Sequence, residues 1–419
     1  MSAPTATRED VVVIGGGAVG VCCAYFLARA GHSVLLLERE TIGAAASWGN
    51  SGLLTTSACA PEAAPGVMLQ ALRWAARRHG AFRIRPRLDR AFLRWLRIFR
   101  AHCTDAAAVK ATTYLRDRVR ENTALIAELA HATESDFGFR DRGVLVLYRT
   151  ERGLTEGRTG AGALAELGIA SAHKTDAEVR QLEPRVTQSV VAGIHYPEDA
   201  HVDPAALVEH LAALARAHGA RLVEQTPVVR LSGAHRIELV ETAEGAFRPE
   251  TVVVANGAWA PGLMRRVDAP LLIEAGKGFS VTYPVGSEVF ARPLRLHEAR
   301  TVVSSMGANV RLTSKLDLVG LDLRMREARA RSAVEAARRY LAVPAGDGGG
   351  RVWSGLRPLS PDGLPYLGRS PRIGNLVLAT GHGHLGISLC ALSGRTVAQL
   401  VSGEAPPFDL NPLRPERFT

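Results

Sequence analysis

The chain has 419 residues, 47% apolar and 22% charged, with a formal net charge of +10. This is an ordinary globular balance, with chain enough for two domains that each bury a core. No apolar run reaches the roughly 18 residues a spanning helix needs, and five scattered cysteines without a C-x-x-C pair indicate neither a disulfide framework nor a metal site. The opening MSAPTATRED has no apolar h-region, so the expected location is the cytoplasm.

From residue 10 the pattern is that of a nucleotide site. Val11, Val12, Val13 and Ile14 form a short unbroken apolar run, expected of a strand buried on both faces of a parallel sheet. Gly15, Gly17 and Gly20 follow as G-x-G-x-x-G at the turn into a helix. The first permits the turn, the second lets the backbone approach a pyrophosphate, and the third lets the helix pack closely on its strands. The helix N-terminus aims unpaired N–H groups at that anion. Gly31 closes the next turn, residues 34–37 read as a second strand, and Glu38 at its end suits the ribose hydroxyls of an adenosine. Arg39 beside it reads either as a solvated charge or as a partner for a 2′-phosphate.

Residues 41–52 make a small-residue loop in which Ser47, Asn50 and Ser51 offer hydrogen bonds to the rest of a cofactor. Residues 61–135 read as mostly helical, with Thr104 capping a helix over 106–130. Within that span, 73–100 holds ten arginines against one acid, Asp89, interleaved with Trp74, Phe82, Phe92, Trp95, Leu96 and Phe99. Two readings stand: a solvated basic face whose aromatics pack inward, or a surface that docks on an anionic membrane or a partner. No nucleic-acid module accompanies it. Residues 137–150 read as strand, turn, strand, and 153–162 as a glycine-containing bend. Asp203 and Pro204 start a helix that Gly219 ends. Antiparallel strands follow at 226–240, and 251–255 is a buried strand where a dinucleotide sheet would gain its next member. Further strands are expected near 278–283 and 302–312, a basic helix near 327–341, and a hinge at 345–350.

In the tail, a short apolar strand at 376–379 runs into Gly381-His382-Gly383-His384-Leu385-Gly386 and a helix to about 402. This is a second strand–glycine-loop–helix unit, far from the first in the chain. A group touched from both ends of the chain is a long one, which fits FAD better than NAD.

Taken together, VVVIGGGAVG with Glu38, SWGNSG, PEAAPGVMLQALRWAARR, FRIRPRLDRAFLRWLRIF, GLRPLSPDGLPYLG and ATGHGHLGISL resemble the bacterial FAD-dependent D-amino acid dehydrogenases, within the wider D-amino acid oxidase and glycine oxidase superfamily. The resemblance implies an α/β fold: a discontinuous Rossmann-like FAD-binding domain (8–60, 190–262 and 350–412) and an α+β substrate domain on a mixed or antiparallel sheet (61–189 and 263–349). It implies that Arg357 of the GLRP motif grips a substrate carboxylate, bidentately as a guanidinium can. It places the 381–386 loop and the following helix N-terminus at the flavin N1–C2=O edge. The implied FAD contacts are Gly15, Gly17, Ala18, Val19, Gly20, Glu38, Arg39, Ser47, Asn50, Ser51, Gly52, Val228, Gly257, Gly381, Gly383, His384, Leu385 and Gly386. His384 and Tyr366 join Arg357 as candidate catalytic residues, Tyr283 is a further pocket candidate, His382 reads as structural, and Lys277 as a surface lysine at a turn.

The implied reaction oxidises the Cα–N bond of a D-amino acid, with hydride passing from Cα to flavin N5 and the imino acid hydrolysing to a 2-oxo acid and ammonia. Two alternatives remain: oxidation of a cyclic or secondary amino acid (D-proline, cis-4-hydroxy-D-proline, glycine or sarcosine), and a non-catalytic FAD-binding subunit of a larger complex. The electron acceptor is a quinone, a partner protein or oxygen. On the membrane reading of 73–100, the protein sits peripherally on the inner face of the cytoplasmic membrane.

Overall fold

The apolar run at 11–14 lies in the strand Thr7–Ile14 of the computed structural model, which describes residues 7–68, 82–85, 87, 89–133, 135–267, 269–342 and 349–418. This strand pairs in parallel with Val34–Leu37 on one side and Ala246–Val254 on the other. Arg221–Val223 and Leu376–Thr380 extend the parallel sheet outward. The antiparallel strands Tyr366–Arg369, Val228–Ser232 and Leu239–Thr242 complete it. The helices Ala18–Arg29, Pro204–Ala217 and Gly386–Val401 share one core with the central strands, in which Cys22, Cys23 and Cys390 are small buried members. The strand expected at 251–255 is therefore the neighbour of the first strand.

A second, mostly antiparallel sheet runs in the order Arg351–Leu359, Glu274–Pro284, Asn309–Leu318, Thr301–Met306, Leu294–Leu296, Val144–Tyr148, Ala192–Tyr196, Ala172–Thr175. Phe82–Ile84 adds to it beside Leu316 and Leu318. Sheet membership thus differs from the expected division of the chain. Residues 192–196 and 351–359, assigned by sequence to the nucleotide domain, hydrogen-bond into the second sheet.

Several local expectations are corrected. The span 61–135 is not all helical, since Phe82–Ile84 is a strand ahead of the helices Arg90–His102 and Asp105–Ala132. Thr104 does cap the second helix, its hydroxyl accepting from the Ala107 N–H. Of 137–150 only Val144–Tyr148 is a strand; Asp136 accepts from the Gly138 N–H at 3.1 Å and ties the preceding residues into a turn. Residues 153–162 continue the helix Glu151–Glu166. Gly153 and Gly157 are glycine for packing, because a Cβ there would lie 2.4 Å from Glu298 Oε1 and 2.2 Å from the Tyr148 hydroxyl. The strand near 302–312 is a hairpin that turns at Gly307. The proposed hinge falls mostly outside the described residues.

In the arginine-rich span, Phe92, Trp95 and Phe99 are buried on one face of Arg90–His102, while Arg90, Arg94, Arg97 and Arg100 are exposed on the other. Trp95 anchors that face by donating its indole N–H to the Leu359 carbonyl at 2.9 Å. Trp74, Arg73, Arg77 and Arg78 lie outside the described residues.

Candidate FAD and substrate site

The carboxyl ends of the parallel strands face the second sheet across a cavity of about 1,070 Å³. That exceeds the ~300–1,000 Å³ usual for small-molecule sites. Its nucleotide end is built from the first glycine turn. Gly15 has φ +109°, and a Cβ there would lie 2.8 Å from Asn256 Cα. A Cβ on Gly20 would lie 1.9 Å from the Gly15 carbonyl oxygen, so only glycine lets the helix sit this close to its strand. Gly17, Ala18, Val19 and Ser47 line the cavity beside the helix N-terminus, and the Ala18 N–H donates to Ser47 Oγ at 2.9 Å. Glu38 lies at the far end, one carboxylate oxygen accepting from the Gly16 N–H at 2.6 Å and the other from the Glu40 N–H at 2.8 Å. Arg39 stacks over Trp259 at 4.2 Å. Asn50, Ser51, Val228 and Gly257 complete this part of the wall.

At the opposite end, Gly383, His384 and Gly386 reach the cavity. The Gly383 N–H donates to the Pro358 carbonyl and the Leu385 N–H to the His382 carbonyl, both at 2.9 Å. The donors left facing the cavity are those of the first helical turn, at Gly386, Ile387 and Ser388, where no intrahelical acceptor exists. Four expected contacts fall elsewhere. Gly20, Gly52, Gly381 and Leu385 are off the cavity wall, and their role is to shape the turns that bear the lining residues.

Arg357 projects from the strand Arg351–Leu359 over Gly278, whose missing side chain makes room for the guanidinium. Its Nη1 donates to the Lys315 carbonyl at 3.1 Å, and among the described residues no carboxylate lies within ion-pair distance of it. Burial draws its pKa down, and the nearby Glu62 charge opposes that. Glu62 went unread in the sequence. It accepts from His384 Nδ1 at 2.8 Å, while His384 Nε2 lies 2.8 Å from the Ala58 carbonyl. Both ring nitrogens face oxygen atoms, an arrangement that favours the doubly protonated ring. Burial alone would lower its pKa, but the Glu62 charge and hydrogen bond outweigh that and hold it above the ordinary 6.5. Burial likewise pushes Glu62 up, and the charge of His384, its hydrogen bond and Arg357 together hold the carboxyl below 4.5.

His384 is thus committed at both nitrogens. The pair stabilises the fold between these limits: Glu62's share is lost as pH falls through its depressed pKa, and His384's as pH rises through its raised one. The melting-temperature advantage of the native protein over Glu62→Gln is therefore expected to peak between about pH 4.5 and 6.5. A difference independent of pH would mean that the pair is not ionic.

Two pocket candidates are corrected. Tyr366 is 1% exposed, donates its hydroxyl to the Leu272 carbonyl at 2.9 Å and lies under Arg417, away from the cavity. Tyr283 is buried in the core of the second sheet. Lys277 is no surface lysine; it is 1% exposed in the strand Glu274–Pro284, its ammonium donating to the Arg324 carbonyl. His382 is buried against Ser393 Oγ at 2.9 Å, and burial pulls its pKa down to about 4, so it stays neutral. Besides Glu62, the wall carries Arg295, Arg300, Lys315 and Trp353, none singled out by a local motif.

The wall also holds buried polar atoms that lack a partner among the described residues, Asn256 Oδ1 and Thr313 Oγ1. With the glycine cradle and two helix N-termini opening on one elongated cavity, this donor set fits a dinucleotide. Residues 10–400 match the family model described as FAD dependent oxidoreductase. The chain belongs to that family. It is 32% identical to the D-amino acid dehydrogenase of Methylobacterium radiotolerans over 97% of this chain and 99% of that protein. A second relative of that name, from Methylobacterium nodulans, is 33% identical over 97% and 99%. The crystal structure of glycine oxidase from Geobacillus kaustophilus superposes with a TM-score of 0.75 at 26% identity, over 99% of this chain and 100% of that one. The chain is thus an FAD-dependent α/β oxidoreductase. No helix among the described residues is long and apolar enough to cross a membrane.

Proposed function

We propose that the protein oxidises a D-amino acid to its imino acid, which water converts to a 2-oxo acid and ammonia. The observation that carries this is the Arg357 guanidinium, which lines the cavity with no carboxylate among the described residues within ion-pair distance, the nearby Glu62 being engaged by His384. A planar fork of that kind takes a carboxylate bidentately and fixes the orientation of the adjoining Cα–H. On this reading, FAD is held by Gly15, Gly17, Ser47 and Glu38 at one end and by the first turn at Gly386 at the other. The chemistry FAD supplies when bound is acceptance of a hydride at N5. The Cα–H bond breaks, the nitrogen lone pair forms the C=N bond, and one proton leaves nitrogen. His384, protonated and engaged on both sides, holds Glu62 and the Ala58 segment in place and moves no proton itself.

A second reading is oxidation of glycine, which the likeness to glycine oxidase supports, or of a secondary or cyclic amino acid such as sarcosine or D-proline. One experiment separates these. Anaerobic addition of D- and cyclic amino acids to the yellow holoprotein should bleach its visible absorption, and the substrate that bleaches fastest identifies the class. Absorption unmoved by every amine would instead favour a non-catalytic FAD-binding subunit. Re-oxidation by oxygen, by a soluble quinone, and by quinone in anionic vesicles then names the acceptor. Faster re-oxidation with vesicles would support membrane docking by the exposed arginines of Arg90–His102.

A further inference from the structure

We propose that an apolar lobe of the cavity, beside Arg357, receives the side chain of the substrate, so that the amino acid oxidised carries a long aliphatic or aromatic side chain. The inference rests on the D-amino acid reading of the site and adds to it the class of substrate. Arg357 leans over Gly278 toward the strand Asn309–Leu318, where its Nη1 meets the Lys315 carbonyl. The wall turns apolar from there onward. Leu316 is the next residue, and a Cβ on Gly276 would lie 2.8 Å from Leu316 Cδ1 and 2.7 Å from Leu359 Cδ1. Both leucines therefore approach Gly276, the residue paired with Arg357 across the ladder. Leu359 also reaches the second glycine loop, since a Cβ on Gly383 would lie 3.7 Å from Leu359 Cδ2. The apolar wall thus begins between the guanidinium and that loop.

Phe82 pairs with Leu316 and Ile84 with Leu318, which sets Phe82 and Ile84 one strand spacing, about 4.8 Å, farther out. Every residue of Phe82–Ile84 and of Arg90–His102 that lines the cavity is apolar: Phe82, Ile84, Trp95, Leu96 and Phe99. The one indole N–H in that set is already given to the Leu359 carbonyl, at 2.9 Å. These side chains therefore leave no hydrogen bond for a ligand. Once the carboxylate is on Arg357 and the Cα–H is turned to the flavin, two substituents of Cα remain. The amine needs hydrogen-bond partners and is costly to bury against such a wall, whereas an apolar side chain gains by it. A methyl group is too short to pass the two leucines and reach Phe82 and Ile84; an isobutyl or benzyl group is long enough.

The test compares D-leucine with D-alanine, which lacks the reach, and with D-asparagine, which has nearly the shape of D-leucine but is polar, by anaerobic bleaching of the holoprotein. D-leucine is expected to win in kcat/KM by about tenfold or more over each. That preference should fall by a similar factor in Ile84→Trp, which fills the lobe, and in Phe82→Ala, which removes its far wall, both compared as yellow holoproteins. D-alanine or D-asparagine bleaching as fast as D-leucine, or a preference that survives both substitutions, would overturn the lobe as side-chain pocket and leave amino acid oxidation intact. If no amino acid bleaches the protein, amino acid oxidation is what fails. Titration of the FAD absorption with 4-methylpentanoate and acetate then decides the lobe on its own. A preference for 4-methylpentanoate that is lost in Ile84→Trp sustains it; equal affinities, or no binding, end it.

Discussion

Arg357→Ala is expected to lower kcat/KM for the best amino acid substrate by about 10²–10³, the effect of losing roughly 3–4 kcal/mol from a desolvated bidentate ion pair. Most of the loss should fall on KM, because the carboxylate is gripped in ground state and transition state alike. Arg357→Lys restores the charge without the fork and should recover only part of it. The FAD spectrum should be unchanged in both variants, since the guanidinium lies against Gly278 and the Lys315 carbonyl, in the second sheet. Kinetics like those of the native protein would remove the anchor on which the proposed reaction depends.

The second large effect concerns loading. Gly20→Ala places a Cβ 1.9 Å from the Gly15 carbonyl oxygen, a backbone atom that cannot swing aside. The helix must retreat from the strand, and with it the N–H groups that face the pyrophosphate. The protein should purify with little FAD, lose about 10² or more in affinity, and show a melting temperature that hardly responds to added FAD. Gly160→Ala is the control. It lies within the helix Glu151–Glu166, and its Cβ would meet nothing within 4 Å. It should keep full FAD content, with stability unchanged or slightly raised. A yellow, fully loaded Gly20→Ala protein would show that close packing of this helix is not what forms the site.

What the sequence made legible is what a short stretch carries complete. The turn at 15–20, Glu38 one strand later, Asp203–Pro204 and the 376–386 unit each hold apolar run, glycine and polar group within a few residues. Glu62 and His384 were not readable as a pair because more than 300 residues separate them and only the fold joins them. The pairing of Thr301 with Ser314 depends on the register of a hairpin whose turn at Gly307 has, in the sequence, the look of continuous strand. Tyr366 sits in a stretch that resembles the family, yet its side chain packs away from the cavity under Arg417. Lys277 shows the limit of residue type as a guide, since an ammonium with a carbonyl to bond can lie inside a sheet. The glycines at 153 and 157 read as a bend because their packing partners, Glu298 and Tyr148, belong to other parts of the chain.

The interleaving of the two sheets has a consequence for biosynthesis. The first strand stays unpaired on one edge until Ala246–Val254 leaves the ribosome, and the helix beginning at Gly386 is translated later still. At about 5–20 residues per second the nascent chain spends tens of seconds with that apolar edge open. Cofactor capture therefore waits until the turn at 15–20 and the helix beginning at Gly386 have both been synthesised and can meet.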